Sequence, residues 1–154
     1  MGMRGAPLAA GLALAAGSAG AQGVDAADPD SVLAAVRAFG HEARLELDEA
    51  GYPVVLARAG GINYGVQFYG CEGTSNCSQL QFAATFDLEP GLTADYVNQR
   101  NEAWAIGRLS INAEGDPLFT YFLTTEGGLG DENFRAVMQI WTDALAATVE
   151  EIGF

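Results

Sequence analysis

Positive charge and reactive side chains are scarce in this sequence. Its 154 residues include no lysine, one histidine and two cysteines. Without lysine, Schiff-base chemistry is excluded, and a single histidine leaves little material for a catalytic triad or a transition-metal site. Seven arginines against 20 Asp and Glu give a net charge of −13, and such a surface repels phosphate backbones and anionic lipids. We therefore expect no nucleic acid partner.

Long hydrophobic runs are missing too, apart from one short stretch near the first residue. Arg4 precedes residues 6–16, which are rich in Leu and Ala, and Ala19-Gly20-Ala21 has the pattern that signal peptidase accepts. About a dozen apolar residues are too few to span the roughly 30 Å hydrocarbon core. We predict a signal peptide over residues 1–21, cut after Ala21, a periplasmic or secreted protein, and no membrane insertion after cleavage. The alternative, a buried Ala-rich helix, is disfavoured because glycines interrupt the stretch.

The two cysteines lie in a segment of small polar residues between two strand-like runs. An oxidising compartment favours a disulfide between Cys71 and Cys77. A redox-active dithiol and metal thiolates are the alternatives. Redox pairs usually have C-x-x-C spacing at a helix N-terminus, and a metal site needs two more ligands, for which His41 is not an obvious donor. We predict a structural disulfide and no metal site.

The rest of the chain is apolar enough for one folded domain, since 49% of the sequence is hydrophobic. We expect a flexible acidic leader over residues 22–28 and a single domain over residues 29–154. Helical and period-two spacings of apolar residues follow each other in the order α-β-β-β-β-α-β-β-α. The predicted fold is α+β: a four-strand meander plus a hairpin in an antiparallel sheet, with the helices on one face.

Local signals mark the turns and helix ends. Gly60-Gly61 predicts a tight hairpin turn, and Thr93 and Asp131 are predicted N-caps of the second and third helices. The last helix has the strongest apolar stripe, which comprises Phe134, Val137, Met138, Trp141, Leu145, Val149 and Ile152.

Carboxylates are the remaining candidates for chemistry. Three close pairs, each at a predicted turn or cap where acids belong for local reasons, are Asp87/Glu89, Glu114/Asp116 and Asp131/Glu132. A calcium site on Asp25, Asp28 and Asp30 is conceivable, but the segment lacks the twelve-residue calcium-loop pattern. We predict no catalytic residue and no cofactor. His41 is interpreted as an exposed or locally hydrogen-bonded turn residue.

One face of the meander is rich in amides and poor in charge. Alternation places Asn63, Gln67 and Tyr69 of one strand on the same side as Gln79 and Gln81 of the next. Tyr69 is the aromatic residue that falls on this polar side. We predict this face as the partner-contact surface.

Several short motifs, in their order and spacing, resemble the YbjN-domain family in its exported branch. They are residues 61–71 (GINYGVQFYGC) with Cys77 and Leu80-Gln81-Phe82, then Asn98, Asn101, residues 106–109, residues 114–117, Gly127-Gly128-Leu129, Glu132-Asn133-Phe134 and Trp141. The resemblance covers roughly residues 30–154. It implies a fold similar to type III secretion chaperones, no known catalytic residues, and a sensory or stress-linked regulatory role.

The expected function is therefore a non-enzymatic periplasmic module that binds a protein or peptide in an accessory or regulatory role. The chaperone-like fold further suggests a homodimer. The alternatives are a small carboxylate-based or calcium-dependent hydrolase and an envelope ligand-binding protein.

Overall fold

A computed structural model describes residues 23–154, so the predicted signal peptide and its cut after Ala21 lie outside the described residues. Three helices and six strands follow in the predicted order. They are α1 (Pro29–Ala38), β1 (Glu42–Leu47), β2 (Pro53–Ala59), β3 (Ile62–Tyr69), β4 (Gln79–Thr85), α2 (Ala94–Ala103), β5 (Arg108–Ile111), β6 (Pro117–Thr124) and α3 (Asp131–Ile152). No helix of this described part is both long and apolar enough to cross a membrane.

The strands form one antiparallel sheet in the order β1-β2-β3-β4-β6-β5. The first four strands are the predicted meander, and Gly60 and Gly61 make the turn from β2 to β3 with φ of 56° and 89°. The hairpin of β5 and β6 joins the sheet through its second strand, which pairs with β4. The α+β prediction is confirmed.

The core lies between the helices and one face of the sheet. The Trp141 ring of α3 is fully buried, and its centroid lies 5.4 Å from those of Tyr64, Phe82 and Phe119. These three residues come from β3, β4 and β6, so α3 crosses the middle of the sheet. Burial of such large aromatic side chains is the main favourable contribution to folding.

The helix starts agree with the predictions in part. The Thr93 hydroxyl accepts a hydrogen bond from the Tyr96 N–H at 3.2 Å, as predicted for an N-cap. At α3 the predicted cap is wrong by one residue: Gly130 is the N-cap, and Asp131 is the first helical residue. Its carboxylate still lies in the first turn, where negative charge favours the helix dipole.

Residues 22–28 were predicted to form a flexible leader, and this prediction is wrong for Val24 and Ala26. The side chains of Val24 and Ala26 are buried. Val24 exchanges two backbone hydrogen bonds with Leu129, at 2.7 and 2.8 Å, and the Ala26 N–H donates to the Thr125 hydroxyl at 2.9 Å. Because these contacts reach about a hundred residues along the chain, local composition could not reveal them.

Candidate functional site

The face of the sheet opposite the core is uncovered by the described helices, and we call it the open face. Strand alternation places Asn63, Gln67, Tyr69, Gln79 and Gln81 on it, as predicted. Gln67 lies opposite Gln81, and Tyr69 lies opposite Gln79. The sheet therefore brings all five predicted contact residues together, while their role in binding stays a prediction.

One end of the open face carries two exposed aromatic rings. Tyr69 is 42% exposed and Phe122 is 52% exposed, and their ring centroids are 6.3 Å apart. The Tyr69 hydroxyl lies 3.0 Å from Oε1 of Gln67 and 3.2 Å from Oε1 of Gln81, within hydrogen-bond distance of both. These contacts orient the Tyr69 ring beside Phe122, and we call the two exposed rings the aromatic platform.

Phe122 was missing from the predicted contact residues. It belongs to β6, and the sequence signal for that strand showed a hairpin with β5 but not its pairing with β4, which sets Phe122 opposite Gln81. The alternation of Leu118, Thr120 and Phe122 against Phe119 and Tyr121 was nevertheless visible in the sequence.

Beside the aromatic platform the open face has a shallow depression of about 670 Å³. Gly65 of β3 and Ala83 of β4 lie opposite each other at its floor. The charged residues that line it are Arg44, Arg58 and Glu42. A floor of two small residues leaves room for a polypeptide backbone to approach the sheet closely.

Gly65 is not required by the fold. It is absent from the glycines with positive φ, and a Cβ at this position would meet only the Val54 side chain, at 3.8 Å. Glycine in a strand interior weakens the strand and often marks a place where a ligand or another backbone comes close. The glycine therefore points to an occupant of the depression.

The strand residues of the open face carry a small excess of positive charge. Its strand residues include Arg44, Arg58 and Arg108, against Glu42 and Glu46. This local excess of one positive charge contrasts with a net charge of −13 for the chain. The strand residues of the open face therefore do not add to the repulsion that the net negative charge exerts on a carboxylate.

His41 has a structural role in the described protein. Its Nδ1 lies 2.7 Å from the buried Tyr64 hydroxyl, and its Nε2 lies 3.5 Å from the Thr142 hydroxyl. The expectation of an exposed or locally bonded turn residue is therefore wrong, since both partners are distant in sequence. Desolvation by burial lowers the pKa of His41 and raises the pKa of Tyr64.

Asp116 of one acidic pair and Asp25 of the conceivable calcium site both accept hydrogen bonds from backbone N–H groups. Asp116 accepts hydrogen bonds from the N–H of Leu88 and from the Asn112 side chain, and Asp25 accepts from the N–H of Ala27. Within residues 23–154, no group of three or more His, Cys, Asp or Glu side chains is placed to hold a metal ion. None of the three predicted acidic pairs therefore belongs to such a metal-binding group.

The predicted disulfide is confirmed: Cys71 and Cys77 are bonded at 2.08 Å. The bond closes the loop between β3 and β4. Since Tyr69 ends β3 just before this loop, the disulfide lies next to the aromatic end of the open face.

Arg100 was not singled out by the sequence, because it lies in a polar helix with a weak apolar stripe. It is nevertheless buried, with Nη2 2.8 Å from the Thr148 hydroxyl and Nε 3.5 Å from a Glu151 carboxylate oxygen. Its guanidinium carbon lies 4.2 Å from the Trp104 ring centroid and 5.0 Å from that of Phe119. These contacts join α2 to α3 and β6.

The architecture places the protein in the class of type III secretion chaperone-like folds. The structure is similar to the Yersinia pestis type III secretion chaperone SycH, solved in complex with a stable fragment of YscM2. The TM-score is 0.52 at 13% sequence identity, and the match covers 78% of this chain and 98% of that one. At this identity the likeness shows the fold.

The family follows from the sequence match. Residues 28–154 match the YbjN family model, whose description is "Putative bacterial sensory transduction regulator". The chain belongs to the YbjN family. No curated protein matches the sequence.

Proposed function

We propose that this protein is a non-enzymatic module of the periplasm that binds a protein or peptide segment on its open face, in a sensory or stress-linked regulatory role. The observation that carries the proposal is Gly65, a glycine that neither backbone geometry nor packing requires, at the floor of the depression. A periplasmic location is supported by the leader pattern of residues 1–21 and by the disulfide, which oxidising compartments favour.

The comparisons support a protein partner by analogy. SycH has a similar fold and was solved with a fragment of another protein, and the family description points to regulation rather than catalysis. Fold likeness alone does not transfer a binding mode, so the surface is argued from the residues of this chain.

The open face suits an extended segment with one apolar and one acidic side chain. Tyr69 and Phe122 provide the exposed rings that an apolar anchor would cover. Over Gly65 and Ala83 the backbone of the segment can lie close to the sheet, and Arg58 in the lining can bind a carboxylate beside it. The amides of Gln67 and Gln81 can both donate to and accept from a peptide backbone.

Phe122→Ser tests the aromatic platform. A library of random twelve-residue peptides is selected on the wild-type protein, and the enriched peptides are titrated against each variant. We expect Phe122→Ser to weaken binding about tenfold or more, because interface aromatics dominate binding energy. The matched control is Ile140→Ser on α3, which is 37% exposed and lies off the open face, and it should leave binding unchanged. No enrichment, or equal losses in both variants, would contradict the proposal.

Gly65→Val separates binding from folding. The added side chain has room and raises β-propensity, so we expect a melting temperature equal to or above that of the wild type. The same side chain fills the depression and should abolish binding of the selected peptides. A variant that binds as the wild type does would show that Gly65 is not part of the site.

A further inference from the structure

The two edges of the sheet differ in how many of their outward backbone groups are already bonded. At the β5 edge the Asn101 side chain closes the strand. Its Nδ2 donates to the Leu109 carbonyl at 2.8 Å, and its Oδ1 accepts from the Leu109 N–H at 2.9 Å. Both outward backbone groups of Leu109 are therefore already bonded.

Among residues 23–154, most outward backbone groups of the β1 edge have no hydrogen-bond partner. The Asp48 N–H donates to the Tyr52 carbonyl, so by antiparallel alternation Glu46, Arg44 and Glu42 bond to β2. The backbone groups of Ala43, Leu45 and Leu47 then point away from the sheet. The Arg37 side chain donates to one of them, the Ala43 carbonyl, at 2.9 Å.

The β1 edge also has an exposed apolar side chain, Leu47. Leu47 is 70% exposed, the largest value among the big exposed hydrophobic side chains of the described residues. A free edge with an exposed leucine is a template for strand addition. The charged side chains of β1 indicate which strand could add to this edge.

We propose that a second copy of this chain adds to the β1 edge, antiparallel, with Leu45 opposite Leu45. In this register Arg44 of each copy lies opposite Glu46 of the other, and each Leu47 lies opposite Ala43. Sliding one copy by two residues in one direction places Arg44 on Arg44 and Glu42 on Glu46, which is unfavourable. Sliding it in the other direction places Glu46 on Glu46 and Arg44 on Asp48, and it shortens the paired part of the strand from residues 43–47 to residues 45–47. The centre of the edge, Arg44 to Glu46, is therefore complementary to itself in charge.

The surrounding charges fit this pairing. Arg44 and Glu46 already form an ion pair within one chain, so two copies would assemble a cluster of two guanidinium and two carboxylate groups. At each end Glu42 faces Asp48 of the other copy, but Glu42 lies beside Arg58 in its own sheet. Because opposed residues of paired strands point to the same side, both open faces would lie on one side of a continuous sheet.

Charge reversal tests the register. We expect the purified protein to dimerise at micromolar concentration in sedimentation equilibrium. Arg44→Glu and Glu46→Arg should each weaken dimerisation about tenfold or more, since each creates two like-charge pairs. An equimolar mixture of the two variants should form a heterodimer as tight as the wild-type dimer, because every pair is then Glu opposite Arg.

Arg108→Glu and Glu126→Arg are the matched controls, since they make the same charge changes away from the β1 edge and should leave dimerisation unchanged. If overall charge governed association, Glu46→Arg would tighten the dimer, which would overturn the proposal. A monomeric wild type or a mixture that fails to pair would overturn it as well. Arg44 also lines the depression on the open face. Peptide binding is therefore judged by Phe122→Ser and Gly65→Val and dimerisation by Glu46→Arg, so either proposal can fail alone.

Discussion

His41 shows how one side chain acquires its properties from residues far along the chain. The Thr142 hydroxyl donates to the Met138 carbonyl at 2.7 Å, so its oxygen can accept from Nε2–H of His41. Nδ1 is then left to accept from the Tyr64 hydroxyl. This arrangement suits the neutral ring, in agreement with its lowered pKa.

The protein should lose stability as the pH falls through the range where His41 titrates. The unfolded chain has a histidine pKa near 6.5 and the folded chain a lower one, so below about 6.5 the unfolded state binds more protons. This contribution is fully present above that pH and lost below it. His41→Gln should reduce the fall in melting temperature between about pH 7 and 5.5 by roughly 1–3 °C, since the ring is partly exposed. Equal pH profiles for both proteins would refute this.

Residue by residue, the sequence predicted buried apolar groups better than buried charge. The α3 stripe was readable because Phe134, Met138, Trp141 and Leu145 repeat at helical spacing, and all four are buried. Arg100 has no such pattern. Its burial depends on Thr148 and Glu151, which reach it only after α3 packs against α2.

At the scale of elements, the loop between β3 and β4 is fixed by a covalent bond. Cys71 and Cys77 are six residues apart, and in the chain-entropy model so short a loop contributes about 2 kcal/mol. Cys71→Ala/Cys77→Ala should lower the free energy of unfolding by about this amount in urea titrations. Reductant should destabilise the wild type but not the variant, and an unaffected wild type would disprove the contribution.

Strand positions were predictable from alternation, but the complete sheet was not. Consecutive strands of the meander are joined by short turns, so their neighbours follow from chain order. β4 pairs with β6, although α2 and β5 lie between them in the sequence, and no local sequence pattern indicates this pairing. For this reason the amide half of the open face was predicted and Phe122 was not.

At the scale of the whole molecule, charge imbalance dominates the surface. Among residues 23–154 only two ion pairs form, Arg44 with Glu46 and Arg100 with Glu151, while the chain carries 20 acids against 7 arginines. Self-repulsion of this kind opposes the compact state.

Salt should therefore stabilise the protein. At about 0.15 M ionic strength the Debye length falls to about 8 Å, which screens exposed carboxylates from one another. We expect the melting temperature to rise by a few degrees, on the order of 2–4 °C, between low salt and this concentration. A fall with added salt would mean that attractive ion pairs outweigh the repulsion.

The backbone bridge between Val24 and Leu129 means that the physical edge of the domain precedes its family boundary at residue 28. A protein trimmed to that boundary would lose two buried side chains and leave the Thr125 hydroxyl without the Ala26 N–H that it accepts from. The segment just before the family boundary is thus hydrogen-bonded to the loop that leads into α3. Shortened versions of this protein should therefore begin no later than Gly23.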